Sequence, residues 1–231
     1  PEDILKHKGI IANPNCSTII MSLGLKPLHD ISPIKRIVVS TYQAVSGAGK
    51  EGIEELENQV KQYTAGEEMT ANLLPTGSAP KHYPVAFNLL PQIDVFLDND
   101  YTKEEMKMVH ETQKILHDDT IQVVPTTVRV PVYRSHSESV LVETEEPVSV
   151  EAFKAACEKF PGLQVKDNPA EQIYPMPLYT SNQNDCEIGR IRKDLYNDKG
   201  MNFWIVGDQI RKGAALNALQ IAEYLVEKQA F

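Results

Sequence analysis

Asn13-Pro14-Asn15-Cys16-Ser17-Thr18 places a thiol between a short apolar run, Gly9-Ile10-Ile11-Ala12, and an apolar stretch opening with Ile19-Ile20-Met21. The run reads as the end of a strand and the stretch as the start of a helix. Asn and Pro favour a turn between them, and Asn, Ser and Thr favour helix N-caps. Cys16 is therefore expected near a helix N-terminus. Free N–H groups and the positive end of the dipole lower a thiol's pKa there, and they can hold an oxyanion formed by attack on an acyl carbon. From position alone a buried, inert cysteine is the competing reading. Arg129 stands between Val128 and Val130 in a strand-like run. A cation there needs a partner, and a bidentate carboxylate clamp meets that need. His136, in Ser135-His136-Ser137-Glu138, is of a type suited to acid–base work near neutrality, or to a structural role. Glu104 and Lys107, three apart in a helical run, share a face; a solvated ion pair is the plainer reading.

Gly47, Gly49 and Gly52 spell G-x-G-x-x-G between a strand and a helix. A dinucleotide fingerprint would enter its first glycine directly from the strand and place an acid about 20 residues on. Here Gln43-Ala44-Val45-Ser46 intervenes, and the later position falls in a proline-rich stretch. A phosphate-binding Walker loop fails as well, because Glu51 stands where Ser or Thr is required.

These residues need elements to carry them. Residues 16–30 read as a helix, 35–42 as a β-branched strand, and 53–63 as a helix with Ile53, Leu56, Val60 and Tyr63 at helical spacing. Residues 64–92, with Pro75, Pro80, Pro84 and Pro91, read as a long loop, functional or packed at an interface. Thr102 caps a helix over 103–117. Residues 121–124, 127–132 and 139–144 read as three strands, with prolines marking edges or strand ends. A helix over 149–160 stops at Pro161-Gly162, and 163–181 is again loop-like. Residues 188–193 and 201–206 pair antiparallel about a turn at 197–200, and 214–228 is an amphipathic helix. The expected fold class is α+β, a mixed and largely antiparallel sheet flanked by helices.

The 231 residues are 42% hydrophobic and carry a net charge of −9, with no basic stripe, so nucleic acid is not an expected partner. Cys16, Cys157 and Cys186 are far apart and odd in number, which points to a reducing compartment; the last two read as structural. His7, His29, His82, His110 and His117 have no metal spacing. No signal peptide or membrane-length apolar run is present. The chain opens on Pro1-Glu2-Asp3 and reaches its most informative motif by residue 13, so it reads as the C-terminal part of something longer.

NPNCST (13–18), TYQAVSGAGKEG (41–52), KEEMKM (103–108), RVPVYRSHSE (129–138), GRIRKD (189–194) and GDQIRKGAALNALQIAE (207–223) occur in one order along nearly the whole chain. In this the sequence resembles the catalytic and dimerisation part of the aspartate-semialdehyde dehydrogenase family, whose sheet is that of the C-terminal domain of glyceraldehyde-3-phosphate dehydrogenase. The resemblance implies that Cys16 is the nucleophile that forms an acyl-thioester, with Asn15 beside it at the substrate and Gln43 orienting substrate. It implies that His136 is the acid–base residue and that Arg129 clamps the substrate α-carboxylate. Glu104 would meet the ammonium and Lys107 the phosphate. Ser46 and Gly47 would touch the nicotinamide end of NADP, and Gln209 would contact NADP at a position where the family more commonly has Asn.

The implied reaction is NADPH-dependent reductive dephosphorylation of 4-phospho-L-aspartate to L-aspartate 4-semialdehyde, toward lysine, methionine and threonine, in a cytoplasmic homodimer. Residues 1–12 would end a missing NADP-binding domain, 13–208 would form the catalytic and dimerisation domain, and 209–231 would be a helix packing on the nucleotide domain. That helix's apolar residues, Leu216, Leu219, Ile221 and Leu225, are then expected to be partly bare or covered by a neighbour. Two alternatives stand beside this: N-acetyl-glutamyl-phosphate reductase, whose cysteine is flanked by Gly and Tyr, and an inactive dimerisation fragment that binds NADPH weakly or not at all.

Overall fold

The computed structural model describes residues 2–230; Pro1 and Phe231, at the outer ends of the first and last expected segments, lie outside the described residues. Six strands form one sheet: β1 (Ile34–Gln43), β2 (Gln122–Arg129), β3 (His136–Thr144), β4 (Leu163–Val165), β5 (Cys186–Lys193) and β6 (Gly200–Gly207), in the order β2-β1-β3-β6-β5-β4. The β1–β2 and β4–β5 pairs are parallel and the other three antiparallel, so the sheet is mixed, as the α+β reading requires.

Helices α1 (Cys16–His29), α3 (Lys103–Leu116) and α4 (Val150–Glu158) supply the apolar residues that cover one face. Register sets that face in rows. Ile37, Val142 and Met201 stand side by side on β1, β3 and β6; Val39, Val140 and Phe203 form the next row. All six are buried in the main core with Ile20, Met21, Leu25 and Leu28 of α1, Met108 of α3 and Phe153 of α4. Burying side chains of this size stabilises by about 1.5–3 kcal/mol each. One step further along, the row becomes Thr41, Glu138 and Ile205, with Thr127 opposite Thr41 on β2. The last row holds Arg129 opposite Gln43, and His136 opposite Gly207.

A smaller core lies under α2 (Lys50–Thr64), where Val45 and Leu56 meet Leu74, Val85, Ala86 and Leu90 of the long proline-rich loop. Buried Gln59 of α2 ties the loop down. Its Oε1 accepts from Val85 N at 2.9 Å and Ala86 N at 3.0 Å, and its Nε2 donates to Thr70 O at 3.0 Å. The loop then reaches the free edge of β2, where Leu90 and Arg129 exchange backbone hydrogen bonds of 3.0 and 2.8 Å.

Four local readings are corrected. Gly9–Ala12 is not a strand: no strand lies beside it among the described residues, and Ile10 is 90% exposed. Residues 121–124 and 127–132 are not two strands: Gln122–Arg129 runs unbroken as the edge strand β2, and residues 130–132 lie beyond its end; Pro125 fits because no neighbouring strand needs its missing N–H on the outer edge. The stretch 163–181 holds β4, a 3₁₀ turn at Pro169–Glu171 and the short helix α5 (Pro177–Thr180). The last helix is preceded by a π-turn at Arg211–Ala215 before α6 (Leu216–Glu227) begins.

Candidate functional site

Asn15 is the N-cap of α1. Its Oδ1 accepts from Ser17 N at 3.0 Å and Thr18 N at 3.2 Å, which puts Cys16 in the first turn as the sequence predicts. A cap of this kind stabilises by about 1 kcal/mol. Two carboxylates of α3 hold the same residue from outside. Glu104 Oε1 accepts from Asn15 Nδ2 at 2.8 Å, and Glu111 Oε2 accepts from Asn15 N at 2.7 Å. Glu111 was not singled out by sequence reasoning. Its signal was the spacing 104, 108, 111, which sets it on one helix face with Glu104 and buried Met108.

Glu104 is the hub of the cluster. The same Oε1 accepts from Gln43 Nε2 at 3.2 Å, while Oε2 pairs with Lys107 Nζ at 3.2 Å. Gln43 is oriented from below by Thr41, whose hydroxyl donates to Gln43 Oε1 at 3.1 Å. Lys107 also lies 3.5 Å from Asp94 Oδ2. Burial alone would lower its pKa; the charges and hydrogen bonds of Glu104 and Asp94 outweigh that and raise it. The neighbouring Glu105 points elsewhere. It closes a capping box with Thr102 and accepts from Thr127 N at 2.9 Å, so the structure separates the two adjacent acids.

Arg129 ends β2 and is 4% exposed. Its Nη1 donates to Ala44 O at 2.7 Å, its Nε has no partner, and no carboxylate lies within ion-pair distance among the described residues. His136 opens β3 and is fully buried; its Nδ1 accepts from Ala44 N at 3.0 Å, and its Nε2 lies 3.4 Å from Gln43 Nε2. Burial, aided by the Arg129 charge, lowers its pKa well below the usual value.

Gly47 covers this pair. A Cβ there would fall 2.7 Å from Arg129 Nη1 and 3.1 Å from His136 Cε1, so only the lack of a side chain leaves room above them. Gln209, after β6, bonds through Nε2 to Ser46 Oγ and accepts from Ser135 N at 2.9 Å. The expected cofactor contacts Ser46, Gly47 and Gln209 thus meet on one side of the histidine. Asp208 beside them is completely buried. It accepts from Arg134 Nε and Asn182 N, both at 2.6 Å, and from Ile210 N and Arg211 N at 2.9 and 3.1 Å. This fixes the turn that carries Gln209. Gly213 in the π-turn closes the ring, since a Cβ there would lie 3.0 Å from Cys16 Cβ.

One expectation is overturned. The helix N-terminus does not leave Cys16 with a low pKa in this state. Burial pushes the thiol up to about 12, with Glu104 adding to the effect, while Arg129 and the Ser17 N–H oppose it. The site therefore holds a neutral thiol, a buried unpaired guanidinium, a neutral imidazole and a carboxylate–lysine pair.

The model of the family described as "Semialdehyde dehydrogenase, dimerisation domain" matches residues 25–212. The chain belongs to this family. It is 52% identical over 230 residues to an aspartate-semialdehyde dehydrogenase of Aquifex aeolicus, covering 99% of this chain and 66% of that protein. With the Bacillus subtilis enzyme of the same name it shares 47% over 224 residues, 96% of this chain and 65% of the relative. Among solved structures, aspartate semialdehyde dehydrogenase II from Vibrio cholerae superposes with a TM-score of 0.91 at 45% identity, covering 98% of this chain and 66% of that one. A second structure of that enzyme, complexed with ASA, gives 0.90. The chain thus spans just under two thirds of the length of these relatives.

Proposed function

We propose that this chain is the catalytic and dimerisation part of an NADP-dependent aspartate-semialdehyde dehydrogenase, which converts 4-phospho-L-aspartate to L-aspartate 4-semialdehyde through a thioester on Cys16. The observation that carries the reading is Arg129: a buried guanidinium without a carboxylate is costly unless a ligand supplies one. It acts electrostatically on Cys16, so a carboxylate bound there would place its acyl chain near the thiol. Glu104 and Lys107, already paired, offer one negative and one positive partner for a substrate bearing both an ammonium and a phosphate. The ASA complex of the Vibrio cholerae relative supports the substrate class.

In this mechanism Arg129 holds the α-carboxylate, Glu104 receives the ammonium, and Lys107 balances the phosphate. Gln43, fixed by Thr41 and Glu104, keeps its amide toward the substrate. The N–H groups at the start of α1 face the oxygen that gains charge when Cys16 attacks. Bound NADP supplies or accepts hydride. The open space over Gly47 and the Ser46–Gln209 pair fit its nicotinamide end. Residues 209–231 are proposed to pack on a nucleotide-binding domain that residues 1–12 would close. In support, α6 buries none of its residues, leaving Leu219 and Val226 exposed. Turnover is assigned to the protein that includes that domain, and weak NADPH binding to this chain alone.

The homodimer is proposed to use the sheet face opposite the helices. Tyr42 and Trp204 meet there with ring centroids 5.4 Å apart and planes tilted by 48°, beside a depression of about 290 Å³ lined by Tyr174, Met176, Arg190 and Arg192. A reducing, cytoplasmic setting is proposed as well, and the three free thiols support it.

The test is Arg129→Met. L-aspartate 4-semialdehyde is expected to protect Cys16 of the wild-type chain from alkylation, and to lose that protection at least tenfold in the variant. Melting temperature should be unchanged or raised, because an unpaired buried charge is gone. Equal protection of both proteins overturns the carboxylate clamp. In the protein carrying the nucleotide domain, turnover of 4-phospho-L-aspartate but not of N-acetyl-glutamyl phosphate separates the two acyl phosphates.

A further inference from the structure

The chain reaches His136 by a sharp reversal. β2 and β3 flank β1 on opposite sides, so the segment between them must cross the end of β1. It crosses on backbone hydrogen bonds: Val130 N to Gln43 O at 3.0 Å, Val45 N to Val132 O at 2.8 Å and Ser46 N to Tyr133 O at 3.2 Å. Only Arg134 and Ser135 then separate Tyr133 from His136, which is already in register opposite Gly207 with its Nδ1 at Ala44 N. The reversal falls on Ser135, whose φ is +71°. A left-handed backbone crowds Cβ against the following carbonyl, a clash that glycine alone escapes by lacking the atom.

Such strain persists only where the surroundings enforce it. Ser135 is 1% exposed and is held at two points. Its N–H donates to Gln209 Oε1 at 2.9 Å, and Gln209 Nε2 bonds in turn to Ser46 Oγ. Its hydroxyl lies 3.2 Å from the Oγ of Ser181, the residue after α5. Pro177 O, 2.7 Å from Ser181 Oγ, sets the direction of that bond. A carbonyl only accepts, so the Ser181 proton goes to it and the Ser135 hydroxyl donates to Ser181. Arg134 O, 3.3 Å from the same oxygen, is also an acceptor and leaves the direction unchanged.

We propose that Ser135 is a positioning residue for His136: its left-handed backbone, enforced by Gln209 and Ser181, aims the imidazole into the space over Gly47. A Cβ on Gly47 would fall 3.1 Å from His136 Cε1 and 3.3 Å from Nε2, so the ring and the glycine are near contact and a turn at the root of β3 moves them apart. A displacement of about 1 Å is enough to cost a reaction about a hundredfold. Ser135 acts through His136 and not on the substrate. The kinetic consequence rests on the function proposed above; the placement of the ring does not.

Two readouts test this, and a role in stability alone moves neither. The first needs no substrate: a nuclear Overhauser contact between His136 Hε1 and the Gly47 Hα protons in isotope-labelled chain. The second is acylation of Cys16 by 4-phospho-L-aspartate, read by intact mass, with the saturating rate separated from the half-saturating concentration. Ser135→Val, whose β-branched side chain resists a left-handed backbone, should lose the contact and at least tenfold in saturating rate, with the half-saturating concentration within threefold. Ser135→Gly accepts the same backbone and should restore the contact and bring the rate to within about threefold of wild type. A valine variant that keeps contact and rate, or a loss that glycine does not restore, overturns the proposal. Should Ser135→Val not fold, Ser135→Ala and Ser181→Ala decide. Each removes the same hydrogen bond, so each should lower the saturating rate about threefold and the double variant no further. Losses that multiply, or none, overturn it. A wild-type chain that is not acylated removes the proposed function, and the contact in the variants still decides the placement of His136.

Discussion

Replacing Glu138 by Gln isolates the cost of a buried ionisable group from its shape. Glu138 is 0% exposed, both its oxygens lack hydrogen-bond partners, and burial raises its pKa well above the ordinary 4.5. In the unfolded chain the carboxyl ionises near that ordinary value. Between the two values the folded chain keeps a proton that the unfolded chain has released. Its contribution to stability is full below the unfolded pKa and is lost as pH rises toward the folded one. While a whole proton is taken up on folding, the slope is about 1.4 kcal/mol per pH unit. Gln has nearly the same shape and nothing to ionise, so E138Q escapes this loss. Urea titrations followed through the single Trp204 give the free energies. Near pH 4.5 the two proteins should be close, and above pH 5 E138Q should gain about 1.4 kcal/mol on wild type per unit until Glu138 ionises. A difference that stays constant between pH 5 and 7, or that grows in favour of wild type, refutes a buried neutral carboxyl.

Two glycines give opposite outcomes. In Gly207→Ala the new Cβ would sit 2.4 Å from Cys186 Sγ and 2.9 Å from Ile20 Cγ1, both held in the core, so thermal unfolding should report a loss of about 1–3 kcal/mol. In Gly47→Ala the Cβ meets Arg129 and His136 at a solvent-facing turn. Melting should shift little, while protection of Cys16 by aspartate semialdehyde falls at least tenfold. Glu111→Gln keeps an acceptor for Asn15 N but loses its charge. It should cost about 0.5–1.5 kcal/mol in the urea midpoint and speed hydrogen exchange at that amide.

The strands were legible but not their ends: the expected strands 35–42 and 139–144 stop short of Gln43 and His136, which β1 and β3 carry, so both residues were named through the resemblance and not through strand period. Val39, Thr41 and Gln43 alternate along β1, as Val140, Glu138 and His136 do along β3, and pairing sets these series side by side. The cap at Asn15 and the capping box at Thr102 were legible because both are local. What the sequence could not supply is what depends on distant partners. Gly9–Ala12 has strand composition but no neighbouring strand among the described residues. Leu163–Val165 has little strand signal but finds β5. Glu111 acts on Asn15 across 96 positions. The acidity of Cys16 was not legible for the same reason: dipole and cap are local and visible, whereas the burial of the thiol, with Gly213 against it, and the charge of Glu104 come from distant parts of the chain.

The order of rows on the sheet explains why the site lies where it does. Two apolar rows, through Ile37 and through Val39, anchor α1 by Ile20, Met21, Leu25 and Leu28. The next row turns partly polar with Thr127, Thr41 and Glu138, and the last carries Arg129, Gln43 and His136 at the strand ends. The apolar rows fix α1, so its N-terminus and Cys16 arrive over the last row with little freedom left. The cost of this placement falls on the third row, where Thr127 and Glu138 keep polar atoms without partners in the dry interior. Making that row apolar would stabilise the fold, but it would remove Thr41, the residue that orients Gln43. The polar layer beneath the site is therefore retained for position rather than stability, and its least compensated member, Glu138, is where that cost can be measured directly.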